Sequence, residues 1–200
     1  MTAPVNSSST EVIAPATGFI YVAPANTPAP TWPFIPNHDG PVETAWKSIG
    51  NTSLDNGVEM TMDGDDPEVL GSWQDPALIT TNPAKTYSLT MNLEDITIET
   101  LNLYYGGQVS SSADVFVIPS TPTPSERALF IAASDGSQMV GFHYPRASII
   151  GSDSITLDPA AITEVPVTAT ILSAGSGAGF TGMGQVFKKC DVPTVNPTLP

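Results

Sequence analysis

Basic residues are scarce in this chain: Lys and Arg total 6 against 20 Asp and Glu, a net charge of −14 over 200 residues. That excess of acid excludes ordinary nucleic-acid binding, whose affinity rests on cations neutralising phosphates. A role beside nucleic acid that depends on not sticking to it stays open. Charge of either sign is thin, at 13% of residues where roughly 25% is usual for a soluble domain, and Ser, Thr and Asn fill the difference. The single cysteine, Cys190, excludes an internal disulfide and has no C-x-x-C or histidine partner at zinc spacing. No apolar run approaches the roughly 18 to 20 residues of a spanning helix. The N-terminus "MTAPVNSSSTEV" has neither the basic start nor the apolar stretch of an export signal. Manufacture in a cytoplasm, with no membrane partner, is the expectation.

What is present describes a folded, turn-rich chain. Pro and Gly, 20 and 16 residues, stay below the roughly 25 to 30% share that marks disorder. Residues 1–16 are small and polar and read as a flexible arm, 17–190 as one domain and 191–200 as a tail. In "GFIYV" apolar residues occupy both faces of a strand, so both faces should be covered. Pro24, Pro28, Pro30 and Pro33 then impose an extended path outside any ladder. Val42, Ala45, Trp46 and Ile49 sit at helical spacing before Gly50 and predict a short helix. "GVEMTMD" alternates Val58, Met60 and Met62 against Glu59, Thr61 and Asp63, a strand with one dry face. "KTYSLTMNL" repeats the alternation with Tyr87, Leu89, Met91 and Leu93.

"EDITIETLNLYYGG" is expected to be helical, with Glu94 and Asp95 in its first turn and Gly106 and Gly107 ending it. Its β-branched residues Ile96, Thr97, Ile98 and Thr100 argue the other way. Six further runs read as strands: "ADVFVIP", "ERALFIAAS", "SQMVGFHYP", "SITL", "AITEVPVTATIL" and "GFTGMGQVFKK". Short strands at this spacing predict a mainly β fold, a sandwich or barrel with one flanking helix. Pro166 should lie near a strand start or edge, and Pro145 should stop pairing, leaving Arg146 to offer its fork to a carboxylate.

The residues that could carry chemistry fail on spacing. "MTMDGDDPEV" places Asp63, Asp65, Asp66 and Glu68 close together with no basic residue nearby in sequence. A calcium loop needs its glycine elsewhere, and Pro67 stiffens the segment. Acid/base work needs two carboxylates on rigid elements across a pocket. The two histidines, His38 and His143, could be combined on paper with Ser125, Ser134 or Ser148, but no nucleophile elbow is present. "AGSGAGFTGMG" lacks the G-K-[ST] ending of a phosphate loop. No catalytic, metal or cofactor site is expected, and the chain is not read as an enzyme. Uncharged polar strands and proline-rich segments suit a subunit covered by copies of itself. A β-sandwich binding module, such as a capsid decoration or an adhesin, is the alternative.

Several stretches, "GFIYVAPANTPAPT", "WKSIGNTSLDNGVEM", "LGSWQDPALITT", "YSLTMNLEDITIETLNLYYGG" and "GFHYPRASIIGSDSITLDPAAITEVPVTATIL", span most of residues 18–172. In their order they resemble the major tail, or tail tube, proteins of phages with long non-contractile tails, above all those infecting actinobacteria. The resemblance implies a β-sandwich with a flanking helix. It further implies hexameric rings stacked into a tube that delivers DNA to the host, and loops and arms that order on stacking. Tape measure, tail terminator and distal tail proteins are the implied partners, the phage tail the implied location, and an extra C-terminal immunoglobulin-like domain is not expected. Asp63, Asp65, Asp66 and Glu68 then become a candidate inter-subunit or lumen loop.

Overall fold

The structure, a computed structural model, describes residues 12–41, 43, 45–106, 115–175 and 179–193. The first eleven residues of the expected arm and residues 194–200 of the expected tail lie outside it. Strands β1 (Thr17–Pro24), β2 (Lys47–Ser48), β3 (Val58–Asp63), β4 (Val69–Leu70), β5 (Ile79–Thr80) and β6 (Thr86–Leu93) precede helix α1 (Ile98–Tyr105). Strands β7 (Ser125–Ser134), β8 (Gln138–Gly151), β9 (Val165–Ile171) and β10 (Gln185–Asp191) follow it. Among the described residues the fold is mainly β with one helix, as expected.

Seven strands run antiparallel in the order β2-β1-β7-β8-β9-β6-β3, and β10 joins β8 off this path. The sheet curls. Laid flat, β2 and β6 would stand five strand spacings apart, about 24 Å. Yet Ser53 N–H donates to the Asn92 carbonyl and Glu94 N–H to the Asn51 carbonyl. The five residues from Ser48 to Ser53 reach at most about 18 Å, so the two ends of the sheet must approach each other. The enclosed core holds Ile20 and Val22 of β1, Leu89 and Met91 of β6, Leu129 and Ile131 of β7 and Val165 and Val167 of β9, with Leu103 from the helix.

Alternation along β1 and β7 sends the other set of side chains outward. Tyr21 faces Phe130 and Ala23 faces Ala128 across the ladder, and this second face is covered by residues 25–46. Trp32, Phe34 and Trp46 pack there on Tyr21 and Phe130. The segment is a strap, fastened where Tyr21 Oη donates to the Asn37 carbonyl and accepts from its N–H, and where Trp46 Nε1 donates to the Pro28 carbonyl. Both faces of β1 are therefore dry, as its apolar run requires.

Four expectations are corrected. The helix expected over 42–49 is absent from the described residues there, which form a turn and β2. Trp46 enters the aromatic cluster and Ile49 the main core, and a single helical face could not serve two cores. "ADVFVIP" and "SITL" hold no strand among the described residues. Pro145 does not end β8: it sits where pairing to β10 stops at His143 and pairing to β9 starts at Ala147. The register against β7 shifts at the same point, so the missing N–H falls in a bulge. Helix α1 starts later than Glu94. Thr97 is its N-cap and Thr100 its third residue, each side chain bonding the other's backbone. Two of the four β-branched residues that argued against a helix, Thr97 and Thr100, are its capping box.

Other expectations hold. Val165, Val167, Ala169 and Ile171 are buried on one face of β9, and Pro166 is its second residue. Arg146 meets Glu126 through two bonds of 2.9 Å, which holds the Glu126 carboxyl below its usual range.

Candidate functional site

Between β3 and β6 the chain leaves the sheet as an arm. Asp63 ends β3, and Gly64 turns at φ 136°, where a Cβ would lie 2.9 Å from the Ala84 carbonyl oxygen. The acidic stretch follows, then β4 and β5 pair Val69 with Thr80 and Leu70 with Ile79. Ser72 closes the tip: its N–H donates to the Asp75 carbonyl, and its Oγ accepts from the N–H groups of Gln74 and Asp75. Gly71 lies so close to the Pro76 backbone that no larger residue fits.

The acidic residues do not converge on anything. Lys85 Nζ reaches across the arm's root to donate to the carbonyls of Gly64 and Asp65, at 2.8 and 2.6 Å. Its contact with the Asp66 carboxylate is longer, 3.8 Å, and Asp66 is fully exposed, so the ion pair contributes little. The cation that sequence proximity missed braces the backbone, and Asp65, Asp66 and Glu68 remain exposed to water. Asp63 Oδ1 accepts from Gly64 N–H. Among the described residues no group of three His, Cys, Asp or Glu could hold a metal ion.

The arm's remaining surface is apolar. Val69, Leu70, Leu78 and Ile79 are about half exposed, and Trp73 at the tip is fully exposed. A second bare apolar set lies on the sheet: Met60 and Met62, on the face of β3 expected to be dry, are 43% and 61% exposed, and Tyr87 opposite Met62 is 39% exposed. This corrects the expected burial of that face. An isolated Trp on a surface is unremarkable, but exposed apolar side chains gathered on one hairpin and on the strand it leaves mark a contact surface.

The three sheet edges differ. β10 carries Lys188 and Lys189 and a register shift between Phe187 and Cys190, devices that discourage further pairing. β2 is two residues long. β3 ends the strand order with six residues and has neither Lys, Pro nor bulge. At its root, Glu164 accepts from Asn92 and Asn56 side chains, and Ser53, Asn92 and Asn56 together hold its carboxyl below the ordinary range.

The histidines form no reactive group. His143 is fully buried among Trp46, Phe130 and Phe180, its Nε2 is 3.1 Å from the Thr27 carbonyl, and its Nδ1 has no partner. Burial pulls its pKa down, against the Thr27 carbonyl and Gln185. His38 is exposed and packs its edge on Phe19. Ser134 is buried and donates to the Gln138 carbonyl. Cys190 is half-buried, and burial raises its thiol. No helix among the described residues is long and apolar enough to cross a membrane.

Sequence reasoning overlooked β4, β5, Trp73 and Lys85. The signal was available in "EVLGSWQDPALITT", where two short apolar pairs flank a Ser and Asp-Pro turn.

Comparison with known proteins supplies what the geometry alone does not. A family model described as phage tail tube protein matches residues 5–181. A major tail protein, Gp23, of Mycobacterium phage D29 is 33% identical over 169 residues, which is 80% of this chain and 84% of that protein. The major tail protein Gp23 of Mycobacterium phage L5 is 31% identical over 191 residues, 91% of this chain and 96% of that one.

Proposed function

The chain belongs to the phage tail tube protein family, and from that premise we propose that its copies close into hexameric rings that stack into the tail tube. It is a structural component of the phage tail and not an enzyme. The observation that carries the ring reading is the unguarded β3 edge beside a bare apolar face. A neighbouring copy that pairs with β3 completes the ladder and covers Met60 and Met62, which removes the liability of an open edge. A rotation that closes gives a ring rather than a filament.

The tube serves as the conduit for genomic DNA. With a net charge of −14, a lumen lined by carboxylates repels phosphates, so DNA slides without specific binding. Asp63, Asp65, Asp66 and Glu68 face either that lumen or the next ring. Residues 17–190 form the tube domain, flanked by the arm of residues 1–16 and the tail of 191–200, and assembly takes place in the host cytoplasm. Tape measure, tail terminator and distal tail proteins meet the tube along its length and at its ends.

Negative-stain microscopy of the full chain with its tail-tip initiator tests the reading: rings and long hollow tubes are expected. A chain that stays a discrete small oligomer at every concentration and salt would point instead to a decoration or adhesin module.

A further inference from the structure

We propose, resting on the self-assembly reading above, that the Trp73 side chain of one copy seats in the cleft between β1, β7, β8 and β3 of a neighbouring copy. Each half is present in the single chain, and among the described residues neither meets the other. The arm tip carries a fully exposed indole flanked by Leu70 and Leu78. The cleft has a volume of about 520 Å³ and is walled by Phe19, Ile20, Val58, Met60, Ile131 and Phe142.

Charge decides where the tip goes. The arm carries Asp63, Asp65, Asp66, Glu68 and Asp75 against Lys85 alone, and Lys85 is already bonded to two backbone carbonyls of the arm. A landing surface must therefore be free of carboxylates, since like charges brought together oppose docking. Among the described residues no Asp or Glu lines this cleft, and His38 is its one ionisable side chain. The adjoining recess is lined by Asp95 and Glu99 and would repel the tip. Residues 1–11, which lead toward Pro15 and Ala16 at the cleft wall, are the competing occupant. "MTAPVNSSSTE" offers only Met1 and Val5 as large apolar side chains, a poor filling for an apolar site. An aromatic anchor entering a pocket from a second copy is the usual form of an interface hot spot.

The test uses the full chain with Cys190→Ser as background. One preparation carries Trp73→Cys and the other Ala16→Cys. They are mixed, assembled on the initiator and treated with a short bismaleimide. A cross-linked dimer of the two variants is expected only in assembled material. Trp73→Ala should keep the wild-type melting temperature and need at least about tenfold more protein to form tubes, the loss of one hot-spot aromatic, with Trp73→Phe partly restoring assembly. The pairing is overturned if Trp73→Ala assembles like wild type. It is equally overturned if the Trp73→Cys, Ala16→Cys double variant cross-links within single unassembled chains, or if Val5→Cys rather than Trp73→Cys links to Ala16→Cys. Wild-type chain that forms no tubes on its initiator refutes the tube reading itself, an outcome distinct from a defect confined to the Trp73 variant.

Discussion

Replacing Tyr21 by Phe should loosen the strap without creating a cavity. The ring remains to fill the buried site against Phe34 and Phe130, and only the hydroxyl is lost. That hydroxyl donates to the Asn37 carbonyl at 2.9 Å and accepts from the Asn37 N–H at 3.0 Å. Burial of the phenol pushes its pKa up to about 12, so it acts as a neutral hydroxyl throughout the working range. Two neutral hydrogen bonds contribute about 1 kcal/mol each, and a stranded partner would add to the loss. Asn37 is exposed, however, so water replaces the hydroxyl on its side, and the expected loss is about 1 to 2 kcal/mol. For a chain of this size each kcal/mol lowers the melting temperature by about 2 to 4 °C, giving a fall of about 2 to 8 °C. Near-ultraviolet circular dichroism follows the melt because Trp32, Phe34 and Trp46 all belong to the strap and pack on Tyr21 and Phe130. Limited proteolysis within residues 25–46 should quicken in parallel. An unchanged melting temperature with unchanged cleavage would mean that aromatic packing alone holds the strap.

His143 supplies the pH dependence. Burial lowers its folded pKa below the ordinary histidine range, so the unfolded chain takes the proton first. Stability is then complete above about pH 6.5 and falls as pH drops below it. His143→Gln keeps a donor for the Thr27 carbonyl and should flatten the melting profile between about pH 7 and 5.5; a wild-type profile already flat there would refute the assignment. Thr97→Ala removes the helix cap and should cost about 1 kcal/mol, whereas Thr97→Ser should cost little, both by urea denaturation. Gly106→Ala should be worse than either, because its φ is 63° and a Cβ would collide with the Thr123 carbonyl. Changing Asp63, Asp65 and Asp66 to Asn and Glu68 to Gln should leave the melting temperature at its wild-type value, since Lys85 grips carbonyls and not carboxylates. The same changes should disturb tube assembly or DNA delivery, and a phage with normal tails and infectivity would return the loop to plain solvent-exposed turn.

Period-two patterning made β6 and β9 legible, because each buries the side chains its alternation selects, and continuous apolar runs marked β1 and β7, whose faces are both covered. The patterns at 113–119 and 154–157 misled for the converse reason: Val115, Val117, Ile118 and Leu157 alternate or cluster, yet all are exposed. Trp46 and Ile49 misled because helical spacing also fits an extended chain whose residues enter two different clusters. The strap's path was readable from its prolines, but its purpose was not, since Tyr21 and Asn37 stand sixteen residues apart. Lys85 was invisible for the same reason, twenty residues from Asp65. The family resemblance needed only order along the chain, and so it survived these local errors.

β3 sets local pattern against the single chain most sharply. Its alternation of Val58, Met60 and Met62 against Glu59, Thr61 and Asp63 demands a dry face, and in one copy Met60 and Met62 are wet. Twisting the strand or slipping its register cannot repair this, because a slip of one residue would turn the acidic set inward instead. The ladder to β6 is regular from Val58↔Met91 to Asp63↔Thr86, so the strand is not misplaced either. An apolar stripe that is well formed and uncovered calls for a cover from outside the chain. The arm that leaves β3 is bare as well at Leu70, Ile79 and Trp73, and the β3 edge carries none of the guards found on β10. Pattern and burial disagree here, and under the proposed self-assembly that disagreement puts the interface on β3 and the arm.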